Sequence, residues 1–177
     1  MFDGSYGGNR GCDPARSYSN IDEIIRNLED DPTLYQDMKT YWASNKGDDN
    51  WFWSHEWIKH GTCVTTLEPH CYAEGNYTKH KEVGEYFRTA LNLRSKYDIY
   101  AAFKDNDIVP NAKKTYPVQK MKQAILDKYG LEATFSCRGS RLQEITLWFR
   151  VRGRDRYVPT QPLRKDTCRN VRFLPKA

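Results

Sequence analysis

The sequence predicts an α+β fold in which an antiparallel sheet packs with several helices. Apolar residues recur at helical spacing in most segments before residue 130, which is typical of helices that cover a core. After that point apolar and polar residues alternate, as in half-buried strands. The 177 residues contain no repeat, low-complexity tract or linker, so we expect one domain spanning residues 1–177.

Five helices are predicted, in order, along the first part of the chain. Pro32 separates the first two, and a polar loop at 44–51 precedes the third. The fifth has Pro117 in its first turn and Gly130 just past its end, the positions that these residues favour. The predicted ranges are 20–29, 33–43, 54–62, 80–96 and 117–129.

Strands are predicted after the last helix. The segment "RLQEITLWFRVRG" (141–153) alternates at Ile145, Leu147, Phe149 and Val151, which indicates one half-buried strand. We expect the segments "TFSC" and "NVRFL" to be its partner strands.

Composition and charge narrow the classes of protein that fit. No apolar run approaches the roughly 20 residues that a membrane-spanning helix needs, which argues against a membrane protein. The net charge is +5, but residues 138–176 hold eleven Lys and Arg against three Asp and Glu. A basic region attracts polyanions by releasing their counterions. It is equally compatible with an ordinary solvated surface.

The segment "HEWIKHGTC" (55–63) concentrates groups that carry chemistry. It resembles the zinc-binding pattern His-Glu-x-x-His, but Lys59 stands where the second histidine belongs, and a protonated lysine is a poor zinc ligand. On a helix, His55, Glu56, Lys59 and His60 share one arc of the surface. A zinc hydrolase is therefore disfavoured, and we expect neither a metal nor a cofactor.

Those four groups suit acid-base chemistry on a phosphodiester. An imidazole titrates near neutral pH and transfers protons, and a lysine stabilises developing negative charge. In RNA the 2′-hydroxyl supplies the nucleophile, so that cleavage needs no metal. A helix with a solvated face of mixed charge remains an alternative interpretation of the same residues.

The surrounding sequence resembles the ribonuclease T2 family. The segment "WFWSHEWIKHGTC" (51–63) is similar to the family's second motif at ten positions in a fixed register. Residues 3–21, residues 42–53 and the carboxyl-terminal segment "YVPTQPLRKDTCRNVRFLPK" are also similar to family segments. The resemblance implies a secreted, metal-independent endoribonuclease. Such an enzyme cleaves single-stranded RNA through a 2′,3′-cyclic phosphate with low base specificity.

The resemblance also assigns roles to residues. It implies that His60 is the general base, that Glu56 and Lys59 stabilise the phosphorane, and that His55 holds the phosphate. For substrate binding it implies stacking of Tyr6 on the base 5′ to the cut. The second base site is implied to consist of Phe52, Ser44 and Asn45.

One family element is not found in the 177 residues. The first motif, roughly Ile-His-Gly-Leu-Trp-Pro-Asp, precedes the "DGSY" segment in the family, whereas here Met1 and Phe2 precede Asp3. We therefore expect a late chain start, with the general-acid histidine and the N-terminal strands missing and the activity impaired. The alternative function is a catalytically inactive RNA-binding or secreted interaction protein.

Five cysteines and one sequon complete the expectations from sequence. The resemblance pairs Cys12 with Cys63 and Cys137 with Cys168, which leaves Cys71 outside both disulfides. "NYT" makes Asn76 a glycosylation acceptor in a secreted protein. We expect an extracellular, vacuolar or lysosomal monomer that binds single-stranded RNA.

Overall fold

The structure is a computed structural model, and it describes residues 11–153 and 155–175. Those residues form two compact units divided after Lys96, each considered by itself. The helices are α1 (Ile21–Arg26), α2 (Leu34–Tyr41), α3 (Asp49–Lys59), α4 (Lys81–Lys96), α5 (Ile99–Lys104) and α6 (Val118–Tyr129). The strands are β1 (Tyr116–Pro117), β2 (Ala133–Arg138), β3 (Arg141–Leu147), β4 (Phe149–Arg152), β5 (Arg156–Pro159) and β6 (Asn170–Val171). The α+β class is confirmed. No described helix combines the length and apolar character needed to cross a membrane.

The first unit has its core among α1, α2, α3 and α4, and each of these helices contributes fully or nearly fully buried apolar side chains. Arg88 on α4 reinforces this packing, because its guanidinium contacts Asp31 at 2.6 and 2.8 Å and Asp37 at 2.6 Å. The core members are Ile21, Ile24, Ile25, Leu28, Leu34, Met38, Trp53, Trp57, Val83, Phe87 and Leu91.

Helix α3 begins earlier and ends earlier than the sequence predicts. The predicted range was 54–62, whereas the helix runs from Asp49 to Lys59. Its first turn is capped by Asp48, whose carboxylate accepts a hydrogen bond from Trp51 N at 2.8 Å. The end of the predicted 44–51 loop is therefore helical.

The second unit packs α5 and α6 with short antiparallel strand pairs. β1 pairs with β6, β2 with β3, and β4 with β5. Helix α6 lies within one residue of its predicted range, and Gly130 ends it with a φ of +66° while its N–H bonds Leu126 O at 2.7 Å. The six-residue helix α5 was not predicted.

The single strand predicted over 141–153 is wrong. β3 ends at Leu147 and pairs with β2, whereas β4 begins at Phe149 and pairs with β5. Trp148 lies at the break: its indole N–H donates to Thr134 Oγ1 at 2.7 Å, and its carbonyl accepts from Thr160 N at 3.0 Å. These bonds direct the chain from one strand pair to the other.

Candidate active site

Helix α3 carries His55, Glu56 and Lys59, but His60 lies outside it. His60 is the C-cap residue, with φ −121° and ψ −48°, and its N–H donates to Glu56 O at 3.0 Å. A 3₁₀ turn, Gly61–Cys63, follows directly. The second imidazole therefore projects from the irregular end of the helix rather than from its regular face.

His60 is half-buried, and its surroundings lower its pKa from the ordinary value of 6.5. Burial is the main cause, because it disfavours the charged imidazolium. The Glu56 carboxylate opposes this shift, while the positive charges of Lys59 and His55 add to it. All three predicted neighbours thus act electrostatically on His60, and burial favours its neutral imidazole.

A pH profile tests this arrangement. If neutral His60 is the base, activity on RNA should fall as pH drops through a pKa below 6.5. Glu56→Gln removes the charge that raises the pKa, so the acid limb should move to lower pH. Lys59→Gln removes a charge that lowers it, so the limb should move to higher pH. Both changes reduce kcat, but shifts in the same direction would contradict this account of His60.

Residues 11–16 hold the end of α3 in place. Cys12 is joined to Cys63 by a disulfide, and its N–H donates to Thr62 Oγ1 at 3.0 Å. Arg16, only 3% exposed, donates to Thr62 O at 2.8 Å, and its own carbonyl accepts from Trp57 Nε1 at 2.6 Å. These contacts hold the chain both before His60, at Trp57, and after it, at Thr62 and Cys63. The sequence analysis did not identify Arg16 or Thr62 as supports of the site.

Gly11 allows this close approach. Its φ is +69°, and a side chain there would place a Cβ 2.0 Å from the backbone oxygen of Ile58. Only glycine readily adopts this positive φ and has no Cβ to clash with the last turn of α3. The same segment therefore has to carry glycine at the point where it meets the helix.

An exposed ring lies beside His55. Trp51 is 55% exposed and stacks on the His55 imidazole with ring centroids 5.5 Å apart, and Lys46 Nζ lies 5.7 Å from the Trp51 ring. The four-residue spacing of Trp51 and His55 on a helix is the signal that identifies this pair. Trp51 thus differs from Trp53 and Trp57 on the same helix, which are buried.

The predicted substrate residues are placed near the start of α3, with one exception. Phe52 is half-buried against the core. Ser44 N donates to Asp49 Oδ1 at 2.6 Å, which fixes the loop to the first turn of α3, and Asn45 beside it is exposed. Tyr6 lies outside the described residues.

The predicted cysteines and the predicted glycosylation acceptor all lie within the described residues. The structure contains the disulfides Cys12–Cys63 and Cys137–Cys168, while the Cys71 thiol is exposed and contacts Thr65 O at 3.5 Å. Asn76 is exposed, as a glycosylation acceptor has to be. In residues 11–153 and 155–175, no group of three or more His, Cys, Asp or Glu side chains is placed to hold a metal ion.

Comparison with known proteins identifies the family of this chain. The sequence model of the Ribonuclease T2 family matches residues 2–160, which include the whole of α3 and its capping turn. The chain belongs to the ribonuclease T2 family. Ribonuclease T2 proteins are endoribonucleases, and the matched residues include His55, Glu56, Lys59 and His60.

Individual relatives agree with this assignment. Ribonuclease Rh of Rhizopus niveus is 44% identical over 93% of this chain, and Ribonuclease T2 of Aspergillus oryzae is 37% identical over 98%. The chain spans about two thirds of their length, 67% and 63% respectively. Among solved structures, the crystal structure of Actibind, a T2 ribonuclease, is 33% identical with a TM-score of 0.86, covering 93% of this chain and 72% of that one.

Proposed function

We propose that this protein cleaves single-stranded RNA by metal-independent transphosphorylation through a 2′,3′-cyclic phosphate. The observation that carries the proposal is the half-buried His60, whose pKa is lowered while Glu56, Lys59 and His55 act on it electrostatically. A neutral imidazole beside a carboxylate and an ammonium has the groups that activate a 2′-hydroxyl and stabilise an anionic phosphorus.

The proposed step exchanges one phosphorus–oxygen bond for another. His60 takes the proton of the 2′-hydroxyl, the 2′-oxygen bonds to phosphorus, and the bond from phosphorus to the 5′-oxygen breaks. Glu56 and Lys59 stabilise the pentavalent phosphorane, and His55 holds the phosphate. The leaving 5′-oxygen takes up a proton from a general-acid histidine, the one that the family resemblance implies in the first motif. Because the reaction forms a cyclic ester without adding water, its first product is that of a lyase.

Base recognition in this proposal depends on rings and loop polar groups. Aromatic rings stack on unpaired bases with little sequence preference, which supports low base specificity. Phe52, Ser44 and Asn45 form the site for the base 3′ to the cut, and Tyr6 stacks on the base 5′ to it. The exposed Trp51 ring, at the same end of α3 as Ser44, adds a further stacking surface.

Product analysis tests the proposal. Purified protein and single-stranded RNA should yield fragments with 2′,3′-cyclic phosphate ends, and the His60→Ala variant should form them about 10²–10⁴-fold more slowly. Fragments that carry only 3′-hydroxyl ends would overturn the proposed chemistry, because transphosphorylation through the 2′-oxygen cannot generate them.

Chelation gives a separate prediction. Activity on RNA should be unchanged in EDTA, because the proposed step is carried by side chains alone. The control is a metal-dependent nuclease in the same buffer, which should lose activity. Loss of activity in EDTA that zinc restores would contradict acid-base catalysis by His60.

A catalytically inactive RNA-binding or secreted interaction protein is the second candidate. Slow cleavage with intact RNA binding supports this alternative, whereas a rate equal to that of Ribonuclease Rh excludes it.

We further propose that the protein is a secreted, glycosylated monomer, located outside the cell or in a vacuolar or lysosomal lumen. The two disulfides support an oxidising compartment, and the exposed Asn76 supports glycosylation. Enzymatic deglycosylation of the native protein, followed by mass measurement, tests the modification.

A further inference from the structure

Two arginines face each other across the end of the β2–β3 hairpin. The strands are joined by a two-residue turn, Gly139 and Ser140, in which Gly139 has a φ of +61°. Arg138 is therefore directly opposite Arg141 in the ladder. Directly opposed side chains on a sheet project from the same face and lie within reach of each other.

A third arginine extends this pair into a row. Arg172 forms a parallel bridge with Arg141 on its other side. Two backbone hydrogen bonds fix the bridge: Leu142 N donates to Arg172 O at 3.2 Å, and Arg172 N donates to Ser140 O at 2.6 Å. Arg138, Arg141 and Arg172 thus occupy one line across three neighbouring segments of chain, and we call them the arginine row.

The arginine row lies on the solvent side of these segments. All three arginines are exposed, whereas the residues that alternate with them, Cys137, Leu142 and Val171, are half-buried or buried. Alternate residues of a strand point to opposite faces, so the three guanidinium groups share the outer face.

The positive charge of the arginine row is not neutralised within the described part of the chain. None of its guanidinium groups forms an ion pair with a carboxylate of residues 11–153 or 155–175. Glu144 on β3 accepts a hydrogen bond from Thr146 Oγ1 at 2.7 Å instead. Like charges directly opposite each other destabilise a sheet, so a bound anion would relieve this cost.

We propose that the arginine row is an accessory site that binds the phosphate backbone of single-stranded RNA. This inference rests on the proposed function, which makes RNA the polyanion that the protein meets. Arginine forks hold phosphate oxygens in a bidentate manner, and phosphate contacts position a nucleic acid without reading its bases. The row would therefore recruit long substrates irrespective of sequence.

Measurement of RNA binding tests the proposed role of the arginine row. The triple variant Arg138→Gln, Arg141→Gln, Arg172→Gln is compared with a matched control, Lys104→Gln, Lys113→Gln, Lys120→Gln, which removes the same charge from scattered exposed positions of the same unit. The probe is a single-stranded 2′-O-methyl oligonucleotide, which the proposed chemistry cannot cleave. Dissociation constants are measured by fluorescence anisotropy over a series of salt concentrations.

We expect the row variant to bind more weakly and to show a smaller salt dependence. Three lost phosphate contacts should reduce the slope of log K against log salt by about 2, at roughly 0.7 per contact on a single strand. The control should keep a slope close to that of the wild type. Equal losses in both variants would overturn the proposal, because they would show an effect of net charge alone.

Cleavage assays separate this inference from the proposed function. The row variant should lose kcat/KM on long RNA but keep it on a dinucleoside monophosphate, which is too short to occupy the row. If the protein cleaves nothing, the proposed catalysis fails while the binding comparison still decides the role of the row. Loss of binding to anionic vesicles with unchanged binding to the oligonucleotide would also overturn the proposal, in favour of a lipid surface.

Folding controls complete the design. All six positions are exposed, and the row variant removes repulsion, so its melting temperature should equal or exceed that of the wild type. A lower melting temperature would contradict the view that the row carries a folding cost. The single variant Arg141→Gln, at the centre of the row, should show about one third of the change in salt dependence.

Discussion

His60→Ala is expected to reduce kcat on RNA by about 10²–10⁴-fold, the contribution typical of a general base. His55→Ala should reduce kcat less and raise KM more, because a group that holds the phosphate acts partly on binding. The difference follows from position, since His60 is half-buried at the end of α3 while His55 is exposed against Trp51. Steady-state kinetics on a dinucleoside monophosphate would measure both.

The matched control is His70→Ala, which removes an exposed histidine that pairs with Glu68 at 3.4 Å. It should leave kcat and KM close to those of the wild type. Equal losses of kcat from His60→Ala and His55→Ala would mean that the roles assigned to the two imidazoles are wrong.

Removing the Cys12–Cys63 disulfide is expected to lower both stability and activity. The bond closes a separation of 51 residues, for which the chain-entropy estimate is about 4 kcal/mol of unfolding free energy. The double variant Cys12→Ala, Cys63→Ala should also lose activity under conditions where it remains folded, because the bond fixes the turn that follows His60. Chemical denaturation and kinetics at 15 °C would measure the two effects.

The second disulfide provides the control. Cys137–Cys168 closes 31 residues, and its removal should cost a similar free energy of unfolding. Its loss should leave kcat on a dinucleoside monophosphate unchanged, because both cysteines belong to the second unit, whereas the residues to which catalysis is assigned belong to the first. A similar loss of kcat in both double variants would show that Cys12–Cys63 has no specific effect on the site.

The sequence predicted the helices whose apolar spacing is regular. The ranges for α1, α2, α4 and α6 agree with the structure to within a few residues, because each helix buries a stripe of apolar side chains against a core. The six-residue helix α5 was missed because it is too short to show such a period.

The boundaries of α3 show where local patterns were insufficient. "NKGDDN" reads as a loop by composition, yet Asp48 caps the helix and Asp49 lies in its first turn, a role that acidic residues favour. At the other end, His60 leaves the helix because the chain turns into the Gly61–Cys63 segment held by Arg16 and Cys12. Those contacts join residues about 50 positions apart, and no local pattern reveals them.

The chemical groups of the candidate site could be predicted because all four, His55, Glu56, Lys59 and His60, lie within six consecutive residues. Their supporting contacts could not, with one exception: the four-residue spacing of Trp51 and His55 on a helix predicts that the two rings are neighbours. The break at Trp148 was hidden for a different reason. Alternation continues through it from β3 to β4, and only the bonds to Thr134 and Thr160 show that the strands belong to different pairs.

The attachment of residues 11–16 to the end of α3 has a consequence for local unfolding. The hydrogen bonds of α3 are formed within the helix itself, but the backbone after His60 depends on partners that are distant in sequence. Opening of residues 11–16 would therefore release the backbone around His60 while α3 and the core beneath it stay intact. The Cys12 N–H donates to Thr62. Its hydrogen-exchange rate would then report how often the backbone around His60 opens while the rest of the protein remains folded.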